Sequence, residues 1–436
     1  MPALARNERI CTPRLAGRAL IVAITLLFTV SPMSLSLLGV EYDSADSPFW
    51  QKLHPSTFVA LLAFAVDLLL RRHPLRWIAS LPERFPGAAY FLCMWALLLA
   101  HGLLNQRTQV TTLFEPYALA IIALSMIEDM RAPQRNALRT ILHVAICLNA
   151  TIGVFEYVTQ ERLFPYVIGG APVIGDRRAT ALLGHPLLNA STTGAYILCL
   201  ALGGDAKLTA IWRSIALLVT ALGMIAFGGR TAIAVSSIFL AAIALRKGAS
   251  LLSGARFPAA GALAAFVIAP ALSAVFVGAA QAGVFDAFLS RYVDDNGSGE
   301  ARLIALQLFD RFELGEILLG PRSDVVDSAL ASLGIEIGIE NNWLALLFHY
   351  GAWMTVFFCM GLFALLFEYW RLCRSGATIL FVYFLAIISS AIGLAAKTVI
   401  FAQFAVVLLV LFSREGDDKE TAPSIRRFPV EAETTP

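Results

Sequence analysis

Apolar runs of about 17 to 25 residues recur along the whole chain, each closed by a short polar or Gly/Pro-containing break, as in helices crossing a bilayer. They predict helices at about 19–40, 55–70, 85–104, 111–127, 138–158, 187–203, 212–227, 231–245, 257–280, 343–368, 377–395 and 398–412. The tenth is long enough for tilt or an extramembrane end, and the eighth and twelfth are short. The pattern is interrupted once, at 281–342, by a polar island holding RYVDDNGSGEAR, then LIALQLFDRF and LLGPRSD, and closing on ENNW. The expected fold is an all-α polytopic membrane protein of about 12 transmembrane helices with one large loop containing short helices. Its divisions are a first bundle segment (1–280), the loop (281–342), a last bundle segment (343–412) and a disordered tail (413–436).

Proline and glycine agree with these boundaries. HP at 54–55, FPG at 85–87 and FP at 257–258 stand where helices begin and proline sacrifices no hydrogen bond. Pro270 falls inside a span and predicts a kink. No internal repeat suggests the inverted halves of a transporter.

Composition excludes a soluble chain: 58% of the 436 residues are hydrophobic and only 15% charged, against about 25% charged in soluble domains. The six cysteines lie in or beside apolar spans without metal-binding spacing, and they read as small buried hydrophobes. Net charge is +2, and its distribution is more informative. Arg6, Arg9, Arg14 and Arg18 precede the first span, which reads as a retained helix. Arg71, Arg72, Arg76, Arg131, Arg135, Arg139, Arg246, Lys247, Arg256, Arg371 and Arg374 then all fall on the same side as that basic start. The positive-inside rule makes this side cytoplasmic, both termini included, and puts 281–342 outside.

Against that rule, arginines also gather in outer segments. GDRRATALLGHPLLNAST at 175–192 carries Arg177, Arg178, His185 and Asn189; GGR at 228–230 fixes Arg230 between two helix ends; EAR at 300–302 carries Arg302; GPR at 320–322 carries Arg322, with Asp324 following and ENN at 340–342 nearby. A guanidinium presents five donors in a planar fork that matches phosphate, so several converging arginines would hold a diphosphate and stabilise its charge as a bond to it breaks. Other readings stand beside this one. Arg177 and Arg178 could pair with Asp176 or face water, Arg230 could touch lipid headgroups, and Arg302 could pair with Glu300. His185 could cap a helix or take a proton; His349 suits packing; Asp67 could meet headgroups or relay protons; Glu115 and Glu156 suit the interface.

RATALLGHPLLNAS at 178–191, FGGRTAIA at 227–234, GSGEARLIALQLF with LLGPRSD, and NNWLALLFHYG at 341–351 together resemble the O-antigen ligase and polysaccharide polymerase family, closest to its exopolysaccharide-polymerase branch. The resemblance covers roughly residues 170–355. It implies a multi-span inner-membrane glycosyltransferase with a large periplasmic loop. In it Arg178 matches the arginine ahead of the GHP-like turn, Arg230 the arginine after the small-residue pair, Arg302 the arginine opening the loop helix, and Gly320 the glycine ending it. Asn341 stands where the family carries a histidine, so His185, Glu340 or Asp324 would have to accept a proton, or no side-chain base is used. Arg177, Arg322, Asn189, Asn341 and Asn342 are the accompanying substrate-binding candidates. The implied reaction is metal- and cofactor-independent transfer of an undecaprenyl diphosphate-linked oligosaccharide to a saccharide acceptor. Membrane lipids, and export or chain-length proteins, are the expected partners, with no nucleic acid. A ligase to lipid A or protein and a lipid-linked sugar transporter are the alternative readings. DD at 294–295, followed by NGSG, reads as a turn rather than a metal site.

Overall fold

The computed structural model describes residues 12–42, 47–105, 110–168, 171–173, 176–254, 277, 281, 303–335, 339–390, 393–394 and 396–414. Among them the chain is helical apart from one hairpin pairing Val167–Ile168 with Ala171–Pro172. The helices are α1 (Arg14–Thr29), α2 (Pro32–Leu37), α3 (Pro55–Leu70), α4 (Pro74–Arg84), α5 (Pro86–Leu104), α6 (Val110–Ile127), α7 (Ala132–Thr159), α8 (Pro186–Ala201), α9 (Ala210–Phe227) and α10 (Arg230–Leu252). After the undescribed stretch come α11 (Leu314–Leu319), α12 (Ser323–Ser332), α13 (Asn342–Tyr350), α14 (Ala352–Leu372), α15 (Ala377–Ser390) and α16 (Ile400–Leu411). Of these, α5, α7, α9, α10 and α14 are long and apolar enough to cross a membrane, and α3, α6, α15 and α16 are shorter apolar helices. The run expected at 257–280, Pro270 and the tail beyond Arg414 lie outside the described residues.

At the centre stand α8 and α16, which pack on each other and are buried almost all round. The sequence of α16 is apolar but for Gln403, and α8 buries the small polar side chains Ser191, Thr192 and Thr193 among its apolar ones, which suits helices walled in by other helices. Around them α1 packs on α3, α5 on α14, α7 on α9, and α10 on α8 and α15. Two buried polar ties fix the register of the core. Gln403 accepts from the Thr192 hydroxyl (2.7 Å) and donates to the Leu27 carbonyl (3.1 Å), joining α16, α8 and α1. The Tyr383 hydroxyl donates to the Ser191 carbonyl (3.0 Å) beside Gly194, where any Cβ would collide with the phenol.

Two expected helices and one expected loop change shape. The first ends at Thr29, and a Ser31 capping box starts the short α2, because Pro32 cannot continue the α1 ladder. The segment after α3 is not a plain loop: it folds into the amphipathic α4, with Trp77 buried. The tenth helix is two, broken at Gly351, whose φ of 87° interrupts the helical path. There the Leu318–Gly320 backbone approaches so closely that a Cβ on Gly351 could not fit. This seats the end of α11 against the start of α14. The described part of the polar island forms its own small core on α13, built from Leu308, Phe312, Val326, Leu330, Ile339 and Phe348.

The two ends of the bundle differ in chemistry. At one end α6, α8, α14 and α16 finish with their C-termini together, and basic side chains donate into the last carbonyls. Arg135 donates to Ile127 O (2.7 Å), Arg213 to Leu200 O (3.0 Å), Arg139 to Val410 O (3.3 Å) and Arg414 to Cys373 O. The other end carries the N-termini of α8 and α10, and beside them the described residues that join α7 to α8.

A candidate anion-binding cleft

The segment leading into α8 is shaped by a buried carboxylate that its sequence did not advertise. Glu156, in the last turn of α7 and 2% exposed, accepts the backbone N–H of Leu163, Thr180 and Ala181, each at 2.8 Å. Three such charge-assisted bonds fold both flanks of the segment onto one group. They hold Ala181 in the left-handed region at φ 40°, a conformation costly to a residue with a Cβ. Beneath them, the Asn149 side chain accepts from Leu182 N–H (2.9 Å) and donates to Asn189 Oδ1 (2.7 Å). Asn189, fully buried, donates to the carbonyls of Thr180 (2.6 Å) and His185 (3.0 Å). Its amide is therefore occupied by the loop.

Above this floor lies an open cleft of about 420 Å³ lined by Glu156, Gln160, Arg162, Asp176, Arg177 and Arg178. Arg178 is held edge-on by Asp176: Nε donates to both carboxylate oxygens (3.0 and 2.9 Å), Nη2 to Oδ2 (2.6 Å), and the Arg178 backbone N–H closes a turn on Oδ1 (3.0 Å). This engages one edge of the fork and leaves the Nη1–Nη2 edge for a second oxyanion. Arg162, which sequence reasoning did not single out, donates to the carbonyls of Asp176 and Arg178 (3.3 Å to the latter) and stacks over Tyr166 (5.2 Å). Arg177 is exposed at the rim.

Arg230 belongs to the neighbouring turn. Ala179 N–H donates to Ala226 O (3.1 Å), tying the arginine segment to the end of α9. Gly228 then takes a left-handed φ of 60° and Gly229 packs against Ala190 so tightly that a Cβ would collide, which lets α10 begin at once with Arg230. The small-residue pair thus has a steric reason.

His185 caps α8: Nδ1 accepts the Leu187 N–H (3.2 Å), and the ring meets Tyr166 edge-on at 5.8 Å. Burial, and secondarily the nearby Arg178 charge, lower its pKa to about 4, so near neutral pH the ring is uncharged with Nδ1 engaged. Asn341 is likewise a cap, its Oδ1 accepting from Trp343 and Leu344 N–H (3.0 and 3.1 Å). The adjacent Asn342 is fully buried and accepts from Leu394 N–H (2.8 Å). Arg322 and Asp324 pair with each other on the exposed surface at the start of α12 (2.8 Å) and are not among the cleft-lining residues. Glu340 is half-buried just before α13, and Arg302 lies outside the described residues. The geometry therefore joins Arg177 and Arg178 with Arg162, and puts the Arg230 turn beside them. No family model, no curated protein and no solved structure matches this chain.

Proposed function

We propose that the cleft binds the diphosphate of a lipid-linked saccharide and that the protein is a membrane glycosyltransferase polymerising such units, at the outer face of a bacterial inner membrane. One observation carries this reading: three guanidinium groups, Arg162, Arg177 and Arg178, line a single open cleft in which Glu156 is filled by backbone N–H groups and Asp176 takes only one edge of the Arg178 fork. Phosphate oxygens suit the unused edges of such forks. In the transfer, an acceptor sugar hydroxyl bonds to the anomeric carbon as the bond from that carbon to the diphosphate breaks, and the hydroxyl proton passes to water in the open cleft. The electron pair leaves with the diphosphate, and the added charge is what the fixed arginines stabilise. Diphosphate departs without protonation, so the chain needs no general acid. His185, with Nδ1 committed to α8 and a pKa near 4, suits the cap better than the base.

The test is turnover of undecaprenyl diphosphate oligosaccharide by purified protein in lipid nanodiscs. Arg178→Lys keeps the charge but loses the fork and is expected to lower kcat/KM at least about tenfold, or about 1.4 kcal/mol. Arg230→Lys is expected to act in the same direction. Arg246→Lys, exposed near the far end of α10, is expected to stay near wild type. Turnover unaffected by the Arg178 and Arg230 changes would overturn the proposal.

A further inference from the structure

The helix α4 and the turn before it carry four arginines that separate into two pairs. Arg71 and Arg84 turn inward. Arg71 is bound to the buried Asp67 (2.7 Å) and lies over the Trp77 ring (4.0 Å); Arg84 reaches Asp129 (2.7 Å), which also accepts from the Trp77 indole N–H (3.3 Å). These contacts fasten one face of α4 to the bundle. Arg72 and Arg76 are exposed and have no ion pair among the described residues.

Between and beside that outer pair the surface is apolar. Leu75 is 80% exposed and Ile78 41%, three residues apart on one helical face, and Leu69 and Leu70 at the end of α3 are exposed as well. The next helix, α5, begins two residues after α4 ends and is long and apolar enough to cross a membrane. Thus α4 directly precedes a candidate span, with an exposed leucine and isoleucine interleaved in sequence with the two exposed arginines. Water would solvate the arginines but not the apolar stripe. A free phosphate would satisfy the arginines and leave the stripe wet. An anionic phospholipid satisfies both, with acyl chains on Leu75 and Ile78 and the headgroup phosphate at Arg72 and Arg76.

We infer that α4 is an in-plane helix forming a binding site for an anionic phospholipid, with Arg72 and Arg76 as the headgroup ligands and Leu75 and Ile78 as the acyl contacts. This site is separate from the arginine cleft and does not depend on its function.

Delipidated full-length protein in neutral detergent would be titrated with cardiolipin and, separately, with phosphatidylcholine, counting bound lipid by native mass spectrometry. Wild type should retain cardiolipin in preference to phosphatidylcholine. Replacing both Arg72 and Arg76 by Gln should weaken cardiolipin about thirtyfold, from the contribution each basic residue makes beside an anionic headgroup, and leave phosphatidylcholine unchanged. Leu75→Asn with Ile78→Asn should weaken both lipids, and because all four positions are exposed or partly exposed these variants should fold. Equal retention of the two lipids by wild type, or unchanged cardiolipin retention in the double arginine variant, would overturn the inference. Displacement of cardiolipin by millimolar inorganic phosphate would also overturn it, by showing a free-phosphate site.

Discussion

The two ends of this bundle bury their arginines to different depths. At one end, Arg135, Arg139 and Arg213 reach into helix C-terminal carbonyls, while Arg71 and Arg84 are held by aspartates. Their donors are turned toward protein. At the other end Glu156 takes three backbone N–H groups, Asp176 takes one N–H and one edge of Arg178, and Arg162 donates to the carbonyls of Asp176 and Arg178. This leaves guanidinium edges toward an open cleft. What differs between the ends is exposure: Arg71, Arg135 and Arg139 are buried, whereas Arg177 is exposed and Arg178 half-buried beside an open cleft.

The sharpest way to break that contrast is to remove the carboxylate that shapes the cleft. Glu156→Ala strands three backbone donors and is expected to cost about 3 kcal/mol, with loss of activity even in the molecules that remain folded. Thermal unfolding in nanodiscs, paired with turnover per folded molecule, measures both. At the opposite end, Asp129→Ala should cost about 2 kcal/mol by releasing Arg84 and the Trp77 indole, yet leave turnover per folded molecule unchanged. An equal drop in turnover from both substitutions would erase the distinction between the ends.

A smaller effect separates cap from base at His185. Alanine removes the acceptor for Leu187 N–H and should cost about 1 kcal/mol, whereas asparagine restores a good cap and should keep turnover within about threefold. Loss of about a hundredfold or more in the asparagine variant would instead make the imidazole a general base. The pH dependence sharpens this. The folded pKa near 4 lies below the ordinary value of 6.5, so the ring's contribution is complete above pH 6.5 and is lost as pH falls toward about 4. His185→Asn should therefore flatten the fall in stability between those values. Smallest of all, Arg322→Ala breaks an exposed pair and should change stability by less than about 0.5 kcal/mol.

Much of the bundle was legible because apolar length and proline position are local signals. Helices at Pro55 and Pro86 begin where HP and FPG stand, and α6, α8 and α9 fall within a few residues of the expected runs. The small pair before Arg230 was also readable, since two glycines between apolar runs leave room for little else. What escaped was tertiary or of the wrong period. An 11-residue amphipathic helix such as α4 has no hydrocarbon-length run to announce it. The early start of α7 was hidden by Arg131 and Arg135, which look like loop residues until the carbonyls that receive Arg135 are in view. The break at Gly351 arises from close backbone contact with α11, far away in sequence. Within the site, Arg177 and Arg178 were singled out because outer arginines defy the positive-inside rule. Arg162 was not, because nothing around it forms a motif. Glu156 read as an interfacial acid, and its three N–H partners lie 7 to 25 residues further on. Asn189, Asn341 and Asn342 each also hold backbone groups of the described structure, contacts that no local motif announces.

The most direct measurement is equilibrium binding of a short-chain prenyl diphosphate to purified protein in nanodiscs, comparing wild type with Arg178→Lys, Arg162→Lys and Arg84→Lys. Saturable binding should weaken about tenfold in each of the first two variants, through loss of bidentate geometry at constant charge, and stay unchanged in the third. Identical affinities for wild type, Arg178→Lys and Arg162→Lys would contradict a diphosphate-binding cleft.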